Sequence, residues 1–135
     1  MLIPETYLPT LWALAAAGAL VLFQLIVADV AAIRAGHQAG TPVPPDSSKF
    51  IFRAARAHAN TNESIAAFLL FAVAGIMSGA AAGWLNALAW AYIACRVAHM
   101  LSYYANRKLA RSTAFGLSLV ALLAMLATVL QAWMK

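Results

Sequence analysis

Four side chains between positions 53 and 63 carry chemistry at helical spacing: Arg53, Arg56, Asn60 and Glu63. The segment Arg53-Ala-Ala-Arg56-Ala-His58-Ala-Asn60-Thr-Asn62-Glu63 holds neither Pro nor Gly and is rich in Ala, so it reads as helix. At about 100° per residue the four fall on one stripe. Arg96, His99 and Tyr103 share a face further on, and Arg111 with Ser112 opens a later apolar run. A guanidinium holds a carboxylate through a planar fork, while Asn60 and Glu63 add acceptors for an ammonium or amide. Arg53, Arg56, Arg96 and Arg111 face only Glu63 and Asp29, and uncompensated buried charge is costly. A small zwitterion with surplus carboxylates would complete such a set. The residues alone fit a plainer reading equally well, in which the arginines snorkel to lipid phosphates and Glu63 pairs with one of them.

The elements that must position these groups follow from composition. Of 135 residues, 64% are hydrophobic and 10% charged, against about 25% charged in a soluble domain, so the chain reads as a membrane protein. Four apolar helices are expected, at about 8–33, 49–77, 84–104 and 111–133: an all-α, four-transmembrane-helix bundle forming one domain over 1–135. The first run lacks a positive n-region and is too long for a signal-peptide core, so it reads as a retained span. Asp29, near its end, is expected to pair within the bundle. Residues 36–48 form a loop, since Gly40-Thr-Pro-Val-Pro-Pro-Asp cannot be regular helix, and Asp46, Ser47 or Ser48 is expected to cap the next helix. Residues 78–83 make an uncharged turn and 105–110 a short basic loop. The lone Cys95 excludes an intrachain disulfide and reads as a small packing residue. A net charge of +5 without an exposed basic run on a polar domain argues against nucleic acid.

Charge sets the topology. Arg34, Lys49, Arg53, Arg56, Arg96, Arg107, Lys108 and Arg111 lie toward one end of the four spans, leaving only Lys135 of the nine basic residues at the other. The positive-inside rule then places both basic loops in the cytoplasm and both termini outside. Three polar stripes converge on one membrane face. Helix 2 bears more polar groups than one four-helix subunit can hide.

Arg56-Ala-His58-Ala-Asn60-Thr-Asn62-Glu63, followed by Arg96-Val-Ala-His99-Met-Leu-Ser-Tyr103 and Arg111-Ser112, resembles the MAPEG family, the membrane-associated proteins of eicosanoid and glutathione metabolism. The resemblance covers essentially the whole chain. It implies a homotrimer that binds glutathione near the cytoplasmic face at subunit boundaries. By position, Arg56, Asn60 and Glu63 would grip the tripeptide, with Glu63 on its amino group; His99 and Tyr103 would line the pocket, and Arg34 would reach in from a neighbouring subunit. Arg111, with Ser112 beside it, would sit at the thiol and activate it for attack on a lipophilic electrophile or hydroperoxide arriving from the membrane lipid. The implied activity is that of a glutathione transferase or peroxidase, with glutathione as cosubstrate and no metal, in a bacterial inner membrane. Two positions depart from the family pattern: Ala59 replaces a further basic ligand, and Phe115 stands where a tyrosine often sits. A non-catalytic scaffold or lipid-binding relative is the main alternative. A small proton-coupled exporter is another, and would use Asp29 as its membrane carboxylate.

Overall fold

The computed structural model describes residues 4–134 and is all helical. A short 3-10 turn, Glu5–Tyr7, leads into four helices: α1 Leu8–Arg34, α2 Phe50–Met77, α3 Ala82–Tyr104 and α4 Lys108–Trp133. Three of them, α1, α2 and α4, are long and apolar enough to cross a membrane. At 28 residues, α2 extends roughly 42 Å, beyond the ~30 Å of a hydrocarbon core. The third helix, α3, has 23 residues, and Arg96, His99, Asn86 and three tyrosines dilute its apolarity; Tyr92, Arg96, His99 and Tyr103 are buried.

The helices end where the sequence supplies a left-handed residue. Gly36, Gly79 and Asn106 have φ values of 63°, 68° and 54°. Each follows a helix whose last carbonyls receive the amides of the next two residues, as in His37 N–H to Ala32 O at 3.0 Å and Arg107 N–H to Ser102 O at 2.8 Å. Asn106 turns the chain so tightly that α4 begins at Lys108, not at 111 as expected; Lys108-Leu-Ala-Arg are good helix formers and extend the helix backward. Likewise α3 starts at Ala82, two residues early. The expected side-chain cap of α2 is absent. Lys49 occupies the cap position and makes no capping bond. Asp46 Oδ1 instead accepts from the amide and hydroxyl of Ser48, at 3.0 and 2.6 Å. The Arg53 guanidinium reaches back to the carbonyls of Ser47 and Ser48, at 2.9 and 2.7 Å.

Small residues make the interior. Ala13, Ala17, Ala54, Ala57, Ala72 and Ala89 have no exposed surface, which lets the backbones approach closely. At the closest point a methyl on Gly75 would lie 2.8 Å from Leu85. Phe68 stacks on Tyr92 with ring centroids 4.5 Å apart, and the Tyr92 and Ser64 hydroxyls share a 2.8 Å bond. Leu22, Ile26, Leu70, Val120 and Leu123 are each more than half exposed on the outer surface. Such a surface suits lipid and not water. Asp29 departs from expectation. It is exposed and makes no ion pair among the described residues, because its position on α1 looks away from the stripe of Thr10, Ala13, Ala17, Leu20 and Gln24 that α1 buries.

Candidate functional site

Because the helices alternate in direction, the start of α2, the end of α3 and the start of α4 meet at one end of the bundle. There Asn60, His99, Tyr103, Arg111, Ser112 and Phe115 line a cavity of about 200 Å³. Larger hollows of about 380 and 420 Å³ flank the α1–α2 loop. Their walls are mainly apolar or backbone, whereas the smaller cavity gathers a guanidinium, an imidazole, a phenol, an amide and a hydroxyl. Chemistry rather than volume singles it out.

Each wall has a local cause. Three and four residues apart on α3, Arg96, His99 and Tyr103 share its inward face, and all three are buried. His99 meets Tyr103 edge-on with centroids 5.1 Å apart, and Phe115 closes the other side of the imidazole at 6.1 Å. The Arg111 guanidinium lies 4.5 Å from the centroid of the Tyr103 ring. That cation–π contact holds the charge at the cavity without occupying its N–H donors. Among the described residues neither the Arg111 guanidinium nor the Tyr103 hydroxyl has a hydrogen-bond partner. Ser112 is exposed and its hydroxyl donates to the Lys108 carbonyl at 3.2 Å. It lines the cavity as an acceptor, and would have to rotate to donate.

The expected site residues therefore divide. Asn60, His99, Tyr103, Arg111 and Ser112 come together in the one cavity; Arg34, Arg56 and Glu63 lie outside its lining. Glu63 adjoins it through Asn60, whose Nδ2 donates to Glu63 Oε2 at 3.2 Å. Arg56 is half-buried on α2, and Arg34 is exposed at the end of α1 beside Lys49 and Phe50. The expectation that four arginines face Glu63 is corrected. Among the described residues the one ion pair joins Lys49 to Asp46 at 3.9 Å. Arg53 is taken up by the loop carbonyls and by the Phe50 ring at 5.6 Å. Arg96 is wholly buried, and its Nη2 donates to Asn60 Oδ1 at 2.9 Å and to Thr61 Oγ1 at 3.1 Å.

Sequence reasoning did not separate Arg96 from the other arginines as a core residue, nor single out Thr61 and Ser118 as its partners. The signal was present: Thr61 and Ser118 are hydroxyl residues on the mainly apolar buried faces of α2 and α4. Gln24, a polar interruption of the first apolar run, is fully buried on α1 with neither amide atom paired among the described residues.

Among the described residues no cluster of three or more His, Cys, Asp or Glu side chains offers a metal site. No curated protein and no solved structure matches the chain. A family model described as "MAPEG family" matches residues 9–131 of the 135. That span holds all four helices but for Leu8 of α1 and the last two residues of α4, and every wall of the cavity. With helices apolar enough to cross a bilayer and a match over nine-tenths of its length, this chain is an integral membrane protein and belongs to the MAPEG family.

Proposed function

We propose that the protein is a glutathione transferase, with capacity for hydroperoxide reduction, that works as a homotrimer with its basic loops in the cytoplasm. The observation that carries this reading is the cavity that joins a free guanidinium, Arg111, to the Tyr103 phenol, the His99 imidazole and the Asn60 amide. Family membership supports a glutathione- or eicosanoid-related role, and the inventory of charges selects within it. Glutathione carries two carboxylates, one ammonium and one thiol. The arginines answer the carboxylates and Glu63 the ammonium.

A free thiol has a pKa of about 8.5, so little thiolate exists at neutral pH. A guanidinium beside the sulfur favours the charged form; lowering the pKa by two units takes roughly 2.7 kcal/mol. Arg111 has unoccupied donors, and the Tyr103 hydroxyl can donate to the same sulfur. The thiolate then attacks the electrophilic carbon of a lipophilic substrate. A sulfur–carbon bond forms as the leaving group departs with its electron pair. With a hydroperoxide the attack falls on the terminal oxygen, the O–O bond breaks as the alkoxide leaves and takes up a proton to give the alcohol, and a second glutathione resolves the sulfenic acid to a disulfide and water.

Two features support assembly. The cavity of about 200 Å³ is below the ~300–1,000 Å³ usual for small-molecule sites, so a second surface is needed to enclose the ligand. Glu63 lies at the middle of α2 and is exposed. A carboxylate on a membrane-spanning helix costs up to about 2.5–3.5 kcal/mol if lipid covers it. A neighbouring copy bringing Arg34 to that face removes the cost.

One observation favours a second reading, a binding protein without turnover. Ser112 donates its proton to Lys108 O, and Phe115 brings no hydroxyl to the thiol position. Calorimetric titration of the detergent-purified trimer with glutathione, followed by turnover with a model aryl halide, separates the two. Binding with conjugation is the expected result; binding alone establishes the second reading, and no binding at millimolar glutathione removes both.

A further inference from the structure

Arg96 is the largest side chain with no exposed surface, and it is charged. Its neighbours offer only neutral acceptors. Nη2 donates to Asn60 Oδ1 at 2.9 Å and to Thr61 Oγ1 at 3.1 Å, with a looser 3.5 Å approach to His99 Nδ1. Nη1 lies 3.5 Å from Ser118 Oγ. No carboxylate lies within ion-pair distance of it among the described residues. Burying a guanidinium of this kind carries a desolvation penalty that neutral oxygens offset only in part.

The chemistry of the group makes its effect directional. A guanidinium has five N–H donors, no acceptor and a permanent charge. An asparagine facing it must turn its oxygen toward it, never its NH2. The Asn60 amide is thereby fixed with Nδ2 on the far side, where it donates to Glu63 Oε2 at 3.2 Å. One oxygen of Glu63 is held and the other is left for a ligand. The same rule sets His99: with Nδ1 turned toward Arg96, the ring proton sits on Nε2. Asn60 and His99 both line the cavity.

We infer that Arg96 is the positioning residue of this site, orienting the Asn60 amide and through it the Glu63 carboxylate toward a ligand ammonium. The relay through Asn60 is independent of which ligand binds; its consequence for recognition rests on the glutathione reading above. Arg96 touches no ligand in this scheme, and its effect on the ammonium site passes through Asn60.

The test has two arms, both on full-length protein in detergent. The first needs no ligand and follows the Asn60 side-chain amide by nitrogen-15 NMR, in the wild type and in Arg96→Met. The wild-type amide is expected to be slow in flipping and in solvent exchange, and the variant's fast. The second arm measures affinity for glutathione and for an analogue whose γ-glutamyl amino group is replaced by hydrogen. Arg96→Met is expected to weaken glutathione about tenfold and the deaminated analogue less than about twofold, the loss of one charge-assisted contact. Asn60→Asp guards against a variant that does not fold. It pairs the buried charge, so the fold is kept, but it puts an acceptor against Glu63, and the preference for the amino compound should vanish. Thr10→Val, a destabilising change at the far end, should leave the preference intact.

Equal loss of both ligands in Arg96→Met would show a merely structural role and overturn the inference. So would an Asn60 amide unchanged in Arg96→Met, or a preference kept in Asn60→Asp. If the wild type binds neither compound while the amide still responds to Arg96, the glutathione reading fails and the positioning relay stands.

Discussion

Thr10 and Arg96 are both fully buried polar residues of one bundle, yet their surroundings differ. Thr10 lies at the end opposite the basic loops. Its hydroxyl donates to Asn86 Oδ1 at 2.6 Å, and Asn86 Nδ2 donates on to the Thr6 carbonyl at 2.8 Å. Nearby the Tyr7 hydroxyl reaches Ala80 O at 2.6 Å and the Trp90 indole reaches Pro9 O at 3.0 Å. These bonds tie the start of α1 to the α2–α3 turn and to α3, and they complete one another. Around Arg96 they do not. Among the described residues, the buried side-chain atoms without a partner belong to Gln24, Arg53, His58, Arg96 and Tyr104, all of which lie past the middle of their helices toward the basic end. Unpaired buried polar groups cost about 1–3 kcal/mol each. The basic end thus carries a penalty that ligand, water or a neighbouring subunit can relieve, while the opposite end supplies the stability that tolerates it.

The comparison breaks most sharply at Arg111. Arg111→Ala is expected to lower conjugation turnover about a hundredfold, roughly 2.7 kcal/mol, while glutathione affinity moves only a few-fold, because the carboxylates and ammonium supply most of the grip and the sulfur little of it. Arg111→Lys, which keeps the charge but not the fork, should fall between. Full turnover with an unchanged thiolate absorbance titration in Arg111→Ala would pass the role to Tyr103.

At the opposite end the signs reverse. Asn86→Ala removes the partner of a fully buried hydroxyl and should cost about 2 kcal/mol of stability. Thermal or denaturant unfolding should detect it, with glutathione affinity unaltered. A loss of binding there would mean that the two ends are coupled.

A smaller effect, about tenfold weaker glutathione binding with little change in the turnover rate at saturation, is expected for Glu63→Gln and for Arg56→Ala. Both variants should unfold no earlier than the parent. Calorimetry against unfolding midpoints sharpens the division of labour between grip and stability.

The smallest effect belongs to the α1–α2 loop. The hydrogen bond from the Ser48 hydroxyl, then that from its amide, holds the Asp46 carboxyl below its ordinary 3.8. A lowered native value means that the contribution is complete above 3.8 and is lost as pH falls through the native value. Asp46→Asn should flatten the acid limb of the stability profile below that pH and, at pH 7, remove the small contribution that the ionised carboxylate makes.

Much of this molecule is set by local sequence. The number of helices follows from runs of apolar residues, and their ends from Gly36, Gly79 and Asn106, whose backbones accept the left-handed turn. The gathering of eight basic residues at one end follows from alternating helix direction alone. The residue types at 56, 60, 63, 99, 103, 111 and 112 narrowed the chemistry before any contact was known. The fates of like residues were not legible. Arg53 and Arg56 share a stripe of α2, yet one is bound to loop carbonyls and the other is not. Arg96 is spaced from His99 and Tyr103 as a ligand would be, and it points into the core because Thr61 and Ser118 face it from two other helices. Periodicity assigns a side chain to a face of its own helix. What stands across from that face is decided by packing among segments far apart in the chain, and for a guanidinium that neighbour is the difference between a ligand contact and a relay.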